Sequence, residues 1–298
     1  MTLSDPLKEK WLTAIGKPTQ YDYEPSLQLV RKLTTPDFDG ELYEQANGPG
    51  TVQKTLLMLP KLIQNKLPAV AVPFYYPDRM AGYDLDTLQP TGKPHLAMAL
   101  HLVRRGYAAI TAEAYHLTYC DLDLDRNDFS RWKHSGETLL KDHPQWTGIG
   151  KLLADTQLLI DALCEDSRID SDRIGIAGHS LGGKMAFYTG CLDPRIKGML
   201  CSDFGLEWDR TNWSEPWYWG EKLNALKKAD MDHTELIQIS NFKPFGLIAG
   251  LYDDDGALDL IQKANFPESQ YLFINHATGH RPPIEVLEKG YEWLAQYL

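Results

Sequence analysis

The sequence predicts an α/β fold in which a mostly parallel central sheet is flanked by helices. Two observations lead to this prediction. Short apolar segments alternate with helical patterns from Pro68 to the last residue, and a glycine-flanked serine follows one of these segments. Because parallel strands need crossover helices, this alternation is typical of a sheet covered on both faces. With 298 residues, 43% of them hydrophobic, the chain is long enough for one large domain.

Hydrophobic periodicity and turn residues place the individual elements. Continuous apolar runs predict buried strands at residues 69–74, 107–112, 174–178, 196–201, 245–250 and 270–275. Helical spacing predicts helices at residues 94–105, 150–164, 180–191 and 284–298. Residues 170–173 are predicted to form a turn, and the polar stretch 113–146 a long loop.

We predict a single domain over residues 1–298 with two additions. Residues 1–65 are predicted to be an N-terminal extension, with a short helix at 5–15 and antiparallel edge strands at 41–44 and 54–60. Residues 204–242 are rich in aromatic side chains and are predicted to be a small lid-like insertion.

Charge and composition argue against several classes of function. The formal net charge is −11, and an acidic chain repels a phosphate backbone, so no nucleic acid is expected as a partner. No segment approaches the roughly 20 apolar residues of a membrane span, and the N-terminus lacks the apolar run of a secretion signal. We therefore expect a cytoplasmic protein with no membrane partner. Neither a metal nor a cofactor is expected, because the four cysteines fit no zinc motif: Cys120, Cys164, Cys191 and Cys201.

The sharpest local signal is Gly178-His179-Ser180-Leu181-Gly182, a G-x-S-x-G sequence between a predicted strand and a predicted helix. In this context the serine lies on a tight turn, and its flanking positions must be small. Its hydroxyl is then exposed at a helix N-terminus, where the helix dipole favours a developing oxyanion. Ser180 is therefore the predicted nucleophile, and the Leu181 amide is the first predicted donor of an oxyanion hole.

A nearby lysine suggests a different site, which the spacing excludes. Lys184 follows Gly183 as in a phosphate-binding loop, whose G-x-x-x-x-G-K-[ST] sequence needs Ser or Thr after the lysine. Met185 occupies that position, so a phosphate-binding loop is not predicted.

A serine hydroxyl needs a general base in order to attack at neutral pH. In α/β proteins with this serine turn, the acid and then the histidine follow the serine along the chain. His280 lies in the loop before the last helix and is the predicted base, with His276 in the same loop as the alternative. The third histidine after the serine, His233, lies in a charged stretch and is expected to be solvated.

The acid that orients the histidine is predicted to follow the strand that ends at Gly250. Asp253 lies three residues after Gly250, which is the usual position of this acid. It is therefore the predicted acid. Asp254 is the second choice and Asp255 the third. Asp203 follows the preceding strand, which is a less common position, and stays an alternative.

The second oxyanion-hole donor is predicted to come from the loop after the strand at 69–74. The backbone amides of Tyr75 and Tyr76 are the two candidates. Pro73 has no N–H and cannot serve.

The segment Arg173–Gly183, the Gly-x-x-Asp at Gly250–Asp253 and His280 resemble the dienelactone hydrolase and acetyl xylan esterase-like branch of the α/β-hydrolase superfamily. The resemblance covers about residues 68–298, and it implies an α/β-hydrolase fold with a Ser-His-Asp triad. The sequence departs from the family pattern at two places. Serine stands where dienelactone hydrolases have a catalytic cysteine, which favours ester hydrolysis, and Phe74-Tyr75-Tyr76 stands where many relatives have His-Gly.

The predicted activity is hydrolysis of small carboxylic esters, including acetyl or carbohydrate-linked esters, through an acyl-enzyme. Two other functions stay open. One is a serine peptidase of the prolyl-oligopeptidase type, although about 65 N-terminal residues are too few for its propeller. The other is a non-catalytic binding protein on the same fold. The sequence leaves the oligomeric state open.

Four tryptophans lie in the lid-like insertion: Trp208, Trp213, Trp217 and Trp219. Aromatic faces can stack on sugar rings or line an acyl pocket, so the four are candidate substrate-binding residues. The alternative is that they pack the insertion onto the core, as large aromatic side chains more often do.

Overall fold

The computed structural model describes residues 4–16, 18, 27–48, 50–73 and 75–298. Within these residues, nine strands form one sheet in the order β1-β2-β3-β5-β4-β6-β7-β8-β9. The strands are β1 Leu27–Thr34, β2 Phe38–Gly48, β3 Thr51–Pro60, β4 Leu67–Ala71, β5 Ala108–Ala112, β6 Ile169–His179, β7 Ile196–Ser202, β8 Phe245–Ala249 and β9 Tyr271–Asn275.

Two kinds of pairing divide the sheet. The pairs β1–β2, β2–β3 and β3–β5 are antiparallel. From β5 through β4, β6, β7 and β8 to β9, every neighbouring pair is parallel. The N-terminal strands therefore form an antiparallel edge, and the mostly parallel sheet of the predicted fold class is confirmed.

Helices cover both faces of the sheet. The α-helices within the described residues are α1 Ser4–Ile15, α2 Pro77–Ala81, α3 Met98–Val103, α4 Phe129–Asp142, α5 Gly148–Glu165, α6 Leu181–Leu192, α7 Lys222–Lys228, α8 His233–Ile239, α9 Asp255–Lys263 and α10 Ile284–Leu294. Helices α2, α3 and α10 pack in one hydrophobic core, and α1 and α4–α9 pack in the other.

Strand β4 and the residue after it show why both faces must be covered. The side chains alternate, so Ala69 and Ala71 enter the core under α5 and α6, while Val70 and Val72 enter the core under α3 and α10. All four are fully buried, which explains the uninterrupted apolar run in the sequence.

Three elements differ from their predicted form. The stretch 113–146 contains α4 rather than only a loop. The predicted turn at 170–173 lies inside β6, where the pairing with β4 shifts register. The predicted helix at 94–105 begins with a short 3₁₀ turn, Pro94–Leu96, before α3. Phe74, at the end of the predicted strand 69–74, lies outside the described residues.

The segment 204–242 connects β7 to β8 and contains α7 and α8. His233 begins α8 and is buried, with Nδ1 against the Leu206 carbonyl and Nε2 2.8 Å from the Tyr188 hydroxyl. The expectation of a solvated His233 is therefore wrong. Burial lowers the pKa of this imidazole to about 3, so it is a neutral packing group.

The carboxyl ends of the parallel strands meet at one edge of the sheet. Strand β6 ends at His179, β7 at Ser202, β8 at Ala249 and β9 at Asn275. Residues directly after these strands are therefore neighbours in space, although they lie far apart in the sequence.

Candidate active site

Ser180 occupies a strained turn between β6 and α6. Its φ of 56° and ψ of −118° are rare for a residue with a side chain. A Cβ on Gly178 would lie 2.1 Å from the Gly182 carbonyl oxygen, so the turn needs glycine at that position. The Ser180 N–H donates to the Ser202 carbonyl at 2.8 Å, which ties the turn to the end of β7.

His280 connects this serine to a carboxylate. It lies in the loop between β9 and α10, as predicted. Its Nε2 is 2.9 Å from Ser180 Oγ, and its Nδ1 is 2.6 Å from Asp203 Oδ2. When Nδ1 donates to the carboxylate, Nε2 is left as the acceptor that faces the serine hydroxyl.

Asp203 is fully buried directly after β7, with a positive φ of 42°. Its Oδ1 accepts N–H bonds from the four consecutive residues 250–253, at 2.8–3.1 Å. Burial favours the neutral carboxyl, but the bonds from His280 and from these amides hold the pKa of Asp203 below its usual value. The carboxylate therefore stays ionised beside the imidazole at neutral pH.

The predicted acid, Asp253, has different partners. Its buried carboxylate accepts backbone N–H bonds from Phe204 at 2.8 Å, Gly205 at 3.0 Å and Leu206 at 2.6 Å. The prediction that Asp253 is the partner of His280 is therefore wrong. The physical reason is local, because the three amides after Asp203 need an acceptor and engage both oxygens of Asp253.

Asp254 and His276, two further candidates for the triad, also bond to other groups. Asp254 caps α9 through the Gly256 N–H at 2.9 Å and pairs with Arg210 at 2.8 Å, so the second choice for the acid is wrong as well. His276 bonds Thr278 Oγ1 through Nδ1 at 2.7 Å. The structure thus brings Ser180 and His280 together with Asp203, the aspartate in the less common position.

A cavity of about 380 Å³ contains the Ser180, Asp203 and His280 side chains. Much of its remaining wall is aromatic, with Tyr75, Phe129, Trp132, Phe204, Tyr218 and Tyr252. A larger cavity of about 500 Å³ lies between β2, β3 and the loop after β5, and its charged lining holds no serine or histidine. The smaller cavity is the candidate active site, because it contains the serine and the histidine.

None of the four predicted substrate-binding tryptophans belongs to the described wall of this cavity. Trp213, Trp217 and Trp219 are at most 2% exposed in the core, and Trp208 stacks on Trp11 with ring centroids 6.4 Å apart. The structure therefore supports a packing role for these residues.

Two wall residues lie on α4 and are not among the residues predicted from the sequence. Phe129 is 60% exposed at the cavity, and Trp132 packs on Tyr75 with centroids 4.8 Å apart. A signal was present in the sequence, since Phe129, Trp132 and Leu139 share one helical face within the stretch predicted as a loop.

Tyr75 reaches Ser180 with its side chain. Its hydroxyl is hydrogen-bonded to Ser180, and burial raises its pKa to about 12, so the phenol stays protonated. The ring of Tyr76 instead faces Arg79 and Arg126, with their guanidinium carbons 5.2 and 5.4 Å from its centroid.

Lys184 places a buried amine in the cavity wall, one turn into α6. Its Nζ donates to the Phe204 carbonyl at 2.5 Å and lies 4.0 Å from the Trp213 ring centroid. Burial lowers the pKa of this lysine well below its ordinary value, while Asp253 and Asp203 oppose that shift.

No metal or membrane element is visible in the described part of the chain. There, no group of three or more His, Cys, Asp or Glu side chains is arranged to hold a metal ion. No helix among the described residues is both long and apolar enough to cross a bilayer. The four cysteines are free thiols.

The fold and the serine turn between β6 and α6 define this protein as an α/β-hydrolase. The sequence model of the Abhydrolase family matches residues 9–211, and the chain therefore belongs to that family. The α/β-hydrolase superfamily that the resemblance implies is confirmed.

Solved structures share the fold at low identity. The glucuronoyl esterase from Solibacter usitatus has a TM-score of 0.73 at 11% identity, over 99% of this chain and 92% of that one. Acetyl xylan esterase 1 from Thermoanaerobacterium sp. JW/SL YS485 has a TM-score of 0.66 at 15% identity, over 98% and 94%. The curated protein YtaP of Bacillus subtilis (strain 168) is 39% identical over 67 residues, 22% of this chain and 21% of YtaP. The match thus spans about a fifth of that relative.

Proposed function

We propose that this protein is a serine esterase in which Ser180, His280 and Asp203 form the catalytic triad. The observation that supports this most strongly is the position of the imidazole, 2.9 Å from the serine hydroxyl and 2.6 Å from a buried carboxylate. A base within reach of the nucleophile, itself oriented by a third group, is what nucleophilic catalysis requires.

The proposed reaction has two steps. Ser180 Oγ attacks the ester carbonyl carbon while His280 Nε2 takes the hydroxyl proton. The C–O bond to the alcohol breaks, the alcohol leaves with that proton, and an acyl-serine remains. His280 then deprotonates a water molecule that attacks the acyl-serine, which releases the carboxylic acid and restores the hydroxyl. Asp203 holds the imidazole tautomer and stabilises the imidazolium in both steps.

The oxyanion of each step needs preorganised donors. We propose the backbone N–H of Leu181, at the N-terminus of α6, as one of them. We propose the Tyr75 hydroxyl as the second donor, in place of the backbone amides of Tyr75 or Tyr76 that the sequence predicts. The hydrogen bond of this hydroxyl to Ser180 and its high pKa support this choice.

Replacing Tyr75 by Phe is therefore expected to lower kcat for ester hydrolysis by about 10²-fold, the usual effect of losing one oxyanion donor. KM should change little, because the donor acts on the transition state. Steady-state kinetics of Y75F check this. Tyr297→Phe removes a hydroxyl that donates to the Ser269 carbonyl near the exposed C-terminus, and is the matched control. Equal kcat values for the two variants would assign the second donor to a backbone amide.

The substrate class that we propose is a small ester, either acetyl or carbohydrate-linked. A cavity of about 380 Å³ is near the lower end of the range for ligand sites. Its aromatic wall suits the face of a sugar ring, and Thr211, Asn212 and Lys184 add polar groups for hydroxyls. The shared fold with a glucuronoyl esterase and an acetyl xylan esterase is consistent with this class.

The proposed function is tested by comparing an ester with its amide. We expect the purified protein to release p-nitrophenol from p-nitrophenyl acetate and to leave the corresponding p-nitroanilide intact. A shift to p-nitrophenyl octanoate should lower kcat/KM, and acetate should be released from acetylated xylose oligomers. Cleavage of the anilide at the ester rate would favour a peptidase, and the absence of turnover on every ester would contradict the proposal.

A further inference from the structure

The two buried aspartates of the site bind each other's chain segment. The carboxylate of Asp203 accepts the N–H groups of residues 250–253. In return, the carboxylate of Asp253 accepts the N–H groups of residues 204–206. We call this arrangement the aspartate clamp. Seven backbone bonds thus join the turn after β7 to the turn after β8.

The clamp fixes the groups that orient His280. Because Oδ1 of Asp203 is held by the turn after β8, only Oδ2 is directed at the imidazole. The same turn carries Tyr252, whose ring packs on His280 with centroids 4.7 Å apart. The opposite turn carries Phe204, which lines the cavity and whose carbonyl binds Lys184. A change in either turn therefore moves the carboxylate partner of the histidine.

The two carboxylates of the clamp respond differently to acid. Burial raises the pKa of Asp253 to about 6, and the backbone bonds only partly oppose this. The pKa of Asp203 is lowered instead. The charge of Asp203 also raises the pKa of Asp253. Lys184 on α6 and Cys201 within β7 are the further titratable groups that interact with Asp253. As the pH falls through about 6, Asp253 is therefore the carboxylate of the pair that takes up a proton.

We propose that Asp253 is a positioning residue, whose ionised carboxylate holds the turn at residues 204–206 so that Asp203 stays aligned with His280. Protonation of Asp253 weakens its bonds to the amides and lowers turnover in acid. This inference rests on the proposed function, and it gives the predicted acid a role that acts through Asp203 rather than on the substrate.

The test compares Asp253→Asn with Asp255→Asn, a matched control that removes an exposed carboxylate two residues away. At pH 8 we expect kcat of D253N to be about 10-fold below that of the wild type and of D255N, with KM nearly unchanged, because alignment matters most in the transition state. The ratio of wild type to D253N should approach one by pH 5, where Asp253 is protonated in the wild type.

A second readout does not depend on turnover. The proton between His280 Nδ1 and Asp203 is expected to give a low-field NMR resonance at pH 8, assigned by its loss in Asp203→Asn. In D253N this resonance should move upfield or disappear, and in D255N it should stay in place. If D253N does not fold, the pH profile of the wild-type protein is the test instead. The proposal requires that more than one proton be taken up as kcat/KM falls below pH 6.

A D253N protein with the rate ratio of D255N at every pH and an unchanged low-field resonance would overturn the inference. A wild-type pH profile in which kcat/KM falls with the uptake of only one proton would also overturn the inference. If the wild type hydrolyses no ester, the proposed function fails, and the resonance still reports whether Asp253 aligns Asp203 with His280.

Discussion

Replacing Ser180 by Ala is expected to lower kcat for p-nitrophenyl acetate by about 10⁴-fold or more. The reason is that no other hydroxyl in the cavity is both hydrogen-bonded to His280 and placed at the N-terminus of a helix, as far as the described residues go. The rate is measured at pH 8 with the uncatalysed hydrolysis subtracted.

Ser214→Ala is the matched control, because Ser214 is exposed and lies outside the described wall of the cavity. Its rate should equal that of the wild type. Far-ultraviolet and near-ultraviolet circular dichroism should coincide for all three proteins, since the buried tryptophans report on core packing. A Ser180→Ala protein with the full rate would remove the assignment of the nucleophile.

Replacing Asp203 by Asn is expected to lower kcat by about 10³–10⁴-fold, the second largest effect. An amide cannot hold His280 in the tautomer that presents an unprotonated Nε2 to the serine, and it no longer stabilises the imidazolium. The loss should fall mainly on kcat, because Asp203 acts through His280. Steady-state kinetics between pH 6 and 9 measure it.

The comparison of Asp203→Asn with Asp253→Asn is the sharper form of this experiment. Asp203 bonds the imidazole directly, and Asp253 reaches it only through the clamp. We therefore expect the loss in D203N to exceed the loss in D253N by about 10²–10³-fold, which is the ratio of the two expected effects. The reverse order would mean that Asp253 is the acid after all, in the position that the sequence predicts.

The positions of Ser180 and His280 at one sheet edge could be predicted because the sequence around each residue and the chain order determine them. The glycines around Ser180 are required by one tight turn, and the close contact of Gly178 with Gly182 shows the steric reason. The position of His280 follows from chain order, since the loop before the last helix lies at the same edge of the sheet as the serine.

The aspartate that bonds His280 could not be chosen from the sequence because three aspartates follow β8 and one follows β7, all at the same sheet edge. The choice depends on which backbone amides each carboxylate accepts, and those amides belong to a segment about 50 residues away in the chain. Asp203 also has a positive φ of 42°, and no local sequence pattern signals that conformation.

The fold was predictable where periodicity is strong and less so where polar residues dominate. The parallel strands are buried on both faces and have continuous apolar sequences, which residues 69–72 illustrate with four buried side chains in a row. Helix α4 was missed because few of its side chains are apolar, although Phe129 and Trp132 line the cavity. The tryptophans of residues 204–242 could not be assigned to core or cavity, since both roles need a large aromatic side chain.

Reaction with a fluorophosphonate tests the central claim most directly, because this reagent is attacked only by an activated serine and needs no knowledge of the natural substrate. Intact-mass and peptide-mass analysis should find one adduct per chain, on Ser180, and the rate of labelling should collapse in His280→Ala and in Asp203→Asn. A protein that stays unlabelled, or that carries its adduct on another residue, would contradict the account.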